Sequence, residues 1–227
     1  MEAENLIEKT VAFVKEVLAD AEGGHNWYHI ERVWNMSRYI WDLEGHGDLL
    51  TIELAALLHD ISDAKFNGGD EVLGCQLAFN FLSTLGVKRE TAEHVQSIIK
   101  YVSYKGGFPQ SHIRSIEFRI VQDADRLDAM GAIGIARAFN YGGFKNRLIY
   151  DPSIPLQDYK DSEAYHKSDA PTINHFYEKL LKLKDLMNTK TGREIALERH
   201  NYMLEFLDTF FKECDPKGSS EPKTGNW

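Results

Sequence analysis

Two histidines and two aspartates lie in the chain at positions from which they could hold one metal ion. His29 stands in an early helical segment, the adjacent pair His59 and Asp60 ends an apolar segment, and Asp125 lies in a later one. An unpaired carboxylate is costly to bury, so Asp60 at the edge of the core needs a cation or strong donors. Taken singly, each residue is better explained by a structural role such as capping or ion pairing. Together they favour a divalent metal site with mixed nitrogen and oxygen ligands.

This joint pattern resembles the HD-domain superfamily of metal-dependent phosphohydrolases. The signature of that family is a histidine on an early helix, a His-Asp pair ending a later apolar helix, and a distant aspartate. The spacings here, 30 residues from His29 to His59 and 65 from Asp60 to Asp125, suit the family, and the resemblance covers roughly residues 20 to 135. It implies that His29, His59, Asp60 and Asp125 are the metal ligands.

A narrower resemblance concerns the region after Tyr141. The segments 141–143 (Tyr-Gly-Gly) and 149–152 (Ile-Tyr-Asp-Pro) look like those of a bacterial branch of small, stand-alone HD proteins. Members of that branch have been associated with the hydrolysis of nucleoside triphosphates to monophosphate and pyrophosphate. This resemblance implies the same reaction as one candidate for the present chain.

The first ligand has two candidates, His25 and His29. They are four residues apart and would share one face of a helix that began early enough. His29 is favoured because the family ligand precedes a stretch like the Ile-Glu-Arg-Val of residues 30–33, and because Gly23 and Gly24 place His25 at or before the helix start. His25 is then expected to line the cleft and contact substrate.

Four further residues are candidates for catalysis or for binding phosphate. Asp63 follows Asp60 by three residues, and the family often carries an acidic residue there that handles protons, so the resemblance implies a catalytic role. The alternative for Asp63 is a surface carboxylate paired with Lys65. Lys65, Lys105 and Arg126 are, as a set beside a metal site, candidate phosphate contacts, although each taken singly is more often a solvated charge.

The resemblance therefore implies a metal-dependent phosphohydrolase that acts on a nucleotide or a related phosphorylated small molecule. A (deoxy)nucleoside triphosphate pyrophosphohydrolase is the specific hypothesis. A nucleoside monophosphate phosphatase, an alarmone hydrolase and a non-catalytic protein that binds metal and nucleotide are the alternatives. One divalent ion is expected, because the additional histidines of dinuclear relatives are replaced here by Lys100-Tyr101-Val102. Mn²⁺ is favoured, with Co²⁺, Ni²⁺, Fe²⁺, Mg²⁺ and Zn²⁺ as alternatives.

The elements that must position these residues are predicted to be helices throughout. Apolar residues recur at steps of three and four, which indicates amphipathic helices, and an all-α bundle follows. The predicted helices are 6–18, 29–43, 51–61, 70–85, 89–102, 116–139, 172–187 and 191–214. We expect one HD domain over 1–214, with a metal-site core at about 20–135, a helical extension at about 171–214 and a flexible tail over 215–227.

The charge balance limits the kinds of partner. Twenty-six basic residues against 35 acidic ones give a formal charge of −9, which argues against general binding to nucleic acid or to an anionic membrane surface. No apolar run approaches the roughly 18 residues of a membrane span, and the first residues are acidic where a signal peptide is basic. The sequence thus predicts a cytoplasmic protein whose partner is a small phosphorylated substrate. A helical bundle of this size can also form a homodimer.

Overall fold

The computed structural model describes residues 3–19, 26–61, 71–102, 113–157 and 169–215. Within these ranges all regular structure is helical, which confirms the all-α prediction. A 3₁₀ helix, Leu180–Leu186, lies between the last two α-helices. The α-helices are α1 Ala3–Val17, α2 Trp27–Glu44, α3 Leu49–Leu58, α4 Glu71–Thr84, α5 Arg89–Val102, α6 Ile116–Asp128, α7 Gly131–Phe144, α8 Thr172–Glu178 and α9 Lys190–Cys214.

The described residues group into two compact units. The first contains α1 to α5, α6 as far as Asp125, and the short segment Asn188–Gly192. The second contains the described parts of Arg126–Met187 and of the chain from Arg193 onward. The single domain predicted over 1–214 stays a prediction.

Helix α3 is the buried centre of the first unit, as its apolar sequence predicts. Its residues from Ile52 to Leu58, apart from Glu53, are fully buried, and α3 packs against α1, α2 and α5. Asp48 caps its N-terminus by accepting a hydrogen bond from the backbone N–H of Thr51 at 2.9 Å. The helix ends at Leu58, three residues before the predicted end, and the following residues to Ile61 form a turn.

Helix α2 has a defined cap at each end. The side chain of Asn26 accepts hydrogen bonds from the backbone N–H groups of Tyr28, at 3.1 Å, and His29, at 3.3 Å. Gly45 ends the helix in the left-handed conformation with φ of +73°, and its N–H donates to the Trp41 carbonyl oxygen. The cap at Asn26 therefore places His29 in the first turn, two residues after the helix begins.

The single helix predicted over 116–139 is wrong, because two helices occupy this region. The backbone N–H groups of Ala129 and Met130 bond to carbonyl oxygens three residues earlier, at 3.1 and 3.0 Å, and this tighter turn ends α6. Gly131 then adopts a left-handed backbone with φ of +68°, which glycine tolerates and which a continuous helix excludes. The small residues in the middle of the predicted helix, including Ala129, Gly131 and Gly134, therefore lie at the break and at the start of α7.

The helix predicted over 172–187 is also divided in the structure. Helix α8 stops at Glu178, Lys179 leaves the helical conformation with φ of −137° and ψ of −60°, and the 3₁₀ helix follows. The core of the second unit is aromatic, since the Phe176 ring lies 6.0 Å from that of Phe139 and 5.8 Å from that of Phe206. Phe176 of α8 thus packs against aromatic residues of α7 and α9.

None of the helices in the described ranges has the length and apolar character needed to cross a membrane. Cys75 is buried in the first unit, Cys214 is exposed at the end of α9, and both are free thiols. Helix α7 continues to Phe144, beyond the predicted helix end at residue 139. The predicted tail lies, from residue 216, outside the described residues.

Candidate metal centre

Three helices of the first unit bring the four predicted ligands to one point. The Nε2 atoms of His29 and His59 are 3.3 Å apart. Asp60 reaches both rings, with Oδ2 at 3.3 Å from His29 Nε2 and Oδ1 at 3.8 Å from His59 Nε2. Asp125 Oδ1 lies 3.6 Å from the first ring nitrogen and 3.7 Å from the second. Residues distant in sequence thus form one cluster of two imidazoles and two carboxylates.

Each side chain comes from the end of a helix. His29 is in the first turn of α2, His59 and Asp60 follow the last residue of α3, and Asp125 is in the last turn of α6. The two histidines are almost fully buried, and the Asp125 side chain keeps 21% of its surface exposed. The two imidazole rings therefore form the buried part of the cluster, and Asp125 is its most exposed member.

The orientation of the His59 ring is set by the backbone of its own helix. His59 Nδ1 lies 2.8 Å from the Ala56 carbonyl oxygen, which can only accept a hydrogen bond. Nδ1 therefore carries a proton, and in the neutral ring the lone pair of Nε2 points into the cluster. A hydrogen bond of this kind is how proteins usually fix the tautomer of a metal-binding histidine.

The electrostatics of the cluster favour a cation at its centre. Burial by itself would lower the pKa of His59, but the charges of Asp60 and Asp125 and a hydrogen bond from the ring to Asp125 raise it to about 9. Burial would raise the pKa of Asp125, yet its hydrogen bond to His59 and the two neighbouring imidazoles hold that pKa below the ordinary value. The carboxylates thus stabilise positive charge between the rings.

The donor set fits a divalent cation. His29, His59 and Asp125 each offer one ligand atom, and these atoms all lie within 4.8 Å of one another. Ligands bonded to one metal at about 2.0–2.2 Å and at right angles are separated by about 3 Å, close to the shortest distances in the cluster. Two carboxylates and two neutral imidazoles carry a charge of −2, which a divalent ion neutralises. The residues present therefore match a divalent metal site, and they do not by themselves choose the element.

Asp123, two residues before Asp125, makes hydrogen bonds that were not predicted from the sequence. Asp123 is fully buried and its carboxylate accepts hydrogen bonds from the backbone N–H groups of Asn188, at 2.9 Å, and Thr189, at 2.7 Å. Burial raises its pKa, while these hydrogen bonds oppose the shift. The Asp-Ala-Asp pattern of residues 123–125 already indicates that Asp123 cannot point at the metal centre together with Asp125, because residues two apart on a helix point to opposite sides. No local pattern in the sequence indicates that its partners are Asn188 and Thr189, which lie more than 60 residues away.

The remaining predicted site residues are not part of the described cluster. His25, Asp63, Lys65 and Lys105 lie outside the described residues, so their roles stay predictions. Arg126 is half-buried in the second unit, where its Nη1 donates to the Leu186 carbonyl oxygen. Its predicted contact with phosphate also stays a prediction.

Comparisons with known proteins identify relatives over nearly the whole chain. The family model of the HD domain matches residues 26–130, which include all four residues of the cluster. The protein YpgQ of Bacillus subtilis is 40% identical over 91% of this chain and 92% of its own length. The crystal structure of an HD-superfamily hydrolase from Bacillus thuringiensis is 45% identical, covers 95% of this chain and 100% of that chain, and has a TM-score of 0.76.

One of these two relatives, YpgQ, was also solved with a nucleotide. The crystal structure of Bacillus subtilis YpgQ in complex with ADP covers 97% of this chain and 100% of that chain, with 37% identity and a TM-score of 0.76. Three observations point to the same family. They are the matched HD-domain model, the 40% identity to YpgQ and the cluster of histidines and aspartates. The chain therefore belongs to the HD-domain superfamily, as does its solved relative from Bacillus thuringiensis, an HD-superfamily hydrolase.

Proposed function

We propose that this chain is a divalent-metal-dependent phosphohydrolase whose substrate is a nucleotide. The observation that carries the proposal is the convergence of Asp60 and Asp125 on the facing Nε2 atoms of His29 and His59, with nitrogen-to-oxygen distances of 3.3 to 3.8 Å. These four side chains would hold the cation, and the partly exposed Asp125 would lie beside the entering substrate. Membership in a superfamily with solved hydrolases supports a catalytic role for this cluster.

The residues around the cluster would divide the chemistry among them. When bound, a divalent cation lowers the pKa of water and polarises a phosphoryl oxygen. Asp63 is proposed to orient the attacking water or to move its proton. Lys65, Lys105 and Arg126 are proposed to neutralise charge that develops on the phosphoryl oxygens, and His25 to line the cleft.

A nucleotide is the proposed substrate because YpgQ, a relative across nearly the full chain, was crystallised with ADP. Within this class, the specific proposal is hydrolysis of a (deoxy)nucleoside triphosphate to the monophosphate and pyrophosphate. Release of phosphate from a nucleoside monophosphate and hydrolysis of an alarmone are the competing reactions. Mn²⁺ is the proposed metal, because a mixed set of imidazoles and carboxylates suits it. A cytoplasmic location and a homodimer remain part of the proposal.

Product analysis tests the proposed reaction. Metal-stripped protein is restored with Mn²⁺, Co²⁺, Ni²⁺ or Mg²⁺ and incubated with nucleoside mono- and triphosphates, their deoxy forms and the alarmone. Pyrophosphate from triphosphates is the expected product. Inorganic phosphate from monophosphates would identify a nucleotidase instead. Absence of turnover with every metal and substrate, while metal is bound, would favour the non-catalytic alternative.

A pair of aspartate variants links any turnover to the cluster. Asp60→Ala removes a carboxylate that lies between the two histidines, so we expect loss of both metal binding and hydrolysis. Asp42→Ala is the matched control, because Asp42 is an exposed carboxylate on α2, outside the cluster. Full hydrolysis by Asp60→Ala would contradict the proposal.

A further inference from the structure

A short segment from late in the chain is held within the first unit by two carboxylates. Asp123 on α6 accepts hydrogen bonds from four donor groups of Asn188 and Thr189, at 2.7 to 2.9 Å: the two backbone N–H groups, the Asn188 amide and the Thr189 hydroxyl. Glu44, the last residue of α2, accepts from the backbone N–H of Thr191 at 2.8 Å. The segment Asn188–Gly192 is thus bonded to the helices that carry Asp125 and His29.

The position of Asp123 on α6 is what gives this attachment a functional meaning. Residues two apart on a helix are rotated by about 200°, so Asp123 and Asp125 lie on nearly opposite sides of α6. Asp125 is also in the last turn of α6, which ends at Asp128, so its position depends on how this end of the helix is held. The hydrogen bonds on the Asp123 side limit rotation and displacement of the turn that carries Asp125.

Asp123 is closely packed against the segment that it binds. A Cβ atom added at Gly192 would lie 2.4 Å from Asp123 Oδ2 and 2.8 Å from Thr189 Oγ1. Asp123 is fully buried, so a displaced carboxylate would lose its hydrogen bonds without gaining water. A second residue of α6 joins the attachment, since Gln122 Oε1 accepts from the Asn188 amide at 3.1 Å. We call Asp123, Asn188, Thr189 and Gly192 the α6 clasp.

We propose that Asp123 is a positioning residue for the metal centre, acting through the α6 clasp to fix the place of Asp125. This inference rests on the proposed function, since it presupposes that Asp125 binds a divalent metal. It assigns a role at that centre to residues 188–192, which lie beyond the part of the chain that the HD-domain model matches. Loss of the clasp should weaken metal binding although none of its members touches the metal.

The test compares full-length variants that damage the clasp from different sides. Asp123→Asn removes the carboxylate charge, Gly192→Ala crowds it, and Thr189→Val removes one donor. Thr189→Ser keeps the hydroxyl and should restore wild-type behaviour. Leu82→Ala is the control, because Leu82 is fully buried in α4, which carries no member of the cluster, and its loss destabilises the fold by a cavity.

Two measurements separate positioning from general stability. The dissociation constant for Mn²⁺ alone is measured from the electron paramagnetic resonance signal of the free ion. We expect it to rise about 10- to 100-fold in Asp123→Asn and Gly192→Ala, the scale for residues that orient metal ligands, and to stay unchanged in Leu82→Ala. Hydrogen exchange of the metal-free proteins should show faster exchange in residues 124–128 for the two clasp variants only.

Each outcome bears on one of the two proposals. Wild-type Mn²⁺ affinity and normal exchange in both clasp variants, with only a lowered melting temperature, would overturn the positioning role. A wild-type protein that binds no divalent metal would overturn the proposed function. In that case the exchange measurement, which needs no metal, still decides whether the clasp orders the turn that carries Asp125.

Discussion

The Nε2 atoms of His29 and His59 face each other at 3.3 Å, with the two ring planes inclined at 65°. Because Nδ1 of His59 is committed to the Ala56 carbonyl oxygen, the facing nitrogens must share a proton or direct their lone pairs at one cation. Asp60 and Asp125 supply negative charge around this point. The cluster therefore holds a positive charge in either form, as a proton or as a metal ion.

We expect metal binding to displace a proton. The pKa of His59 is raised to about 9 in the metal-free protein, so the ring is protonated at neutral pH. A metal ligand must be deprotonated, and the apparent Mn²⁺ affinity should therefore rise about tenfold per pH unit between about pH 7 and 9 and level off above. Calorimetric titration in buffers of different ionisation enthalpy counts the released protons. Mn²⁺ binding that is independent of pH in this range would contradict the idea that a proton and the metal compete for the cluster. The control variant His46→Gln, at an exposed residue, should retain the wild-type pH dependence.

Breaking the ion pair between Arg137 and Asp128 should destabilise the second unit. Arg137 Nη1 lies 2.7 Å from Asp128 Oδ2, and the Asp128 side chain is only 5% exposed. Arg137→Met leaves a buried carboxylate without this partner, which should cost about 2 to 3 kcal/mol, toward the lower end for buried pairs because Arg137 is partly exposed. Urea unfolding measures the loss. The double variant Arg137→Met with Asp128→Asn should recover part of it, and no recovery would argue against a direct pair.

Two glycines of the second unit should respond oppositely to alanine. Gly131 has φ of +68°, and an added Cβ would lie 3.0 Å from Arg199 Cγ, so Gly131→Ala should destabilise by about 1 to 2 kcal/mol. Gly143 lies within α7, where an added Cβ would have no neighbour within 4 Å. Gly143→Ala should therefore stabilise by up to about 1 kcal/mol. Thermal and urea unfolding of the two variants, measured together, test this contrast, which equal effects would refute.

Protonation of His175 should destabilise the protein in acid. Burial, then the nearby charges of Lys179 and Arg147, lower the pKa of His175 to about 3, against an ordinary 6.5. Below about pH 6.5 the unfolded chain binds a proton at His175 more readily than the folded protein does. The free energy of unfolding should therefore fall by about 1.4 kcal/mol per pH unit as the pH decreases from about 6.5 toward 3. His175→Gln should flatten the dependence of unfolding free energy on pH between about 4 and 6. His46→Gln, at an exposed site, should keep the wild-type slope, and identical slopes in all three proteins would contradict the shifted pKa.

Much of the fold could be read from the sequence because its signals are local. The end of α2 follows from Gly45, whereas its start lies two residues before the predicted residue 29, because the side chain of Asn26 caps the first turn. Helix α5 spans the predicted residues, since its apolar positions recur on one face. The break between α6 and α7 was missed because helical periodicity continues across Gly131, and only its positive φ shows that the chain turns there.

The sequence by itself determined which residues could bind metal, namely His29, His59, Asp60 and Asp125, since residue type and the helix ends around them are local properties. The tertiary structure decided which atoms meet and what holds them. The nitrogen of His29 faces that of His59, and Asp123 bonds to Asn188 and Thr189, because helices pack in a particular rotation. That rotation depends on contacts between residues far apart in the chain, which the spacing along one helix does not encode.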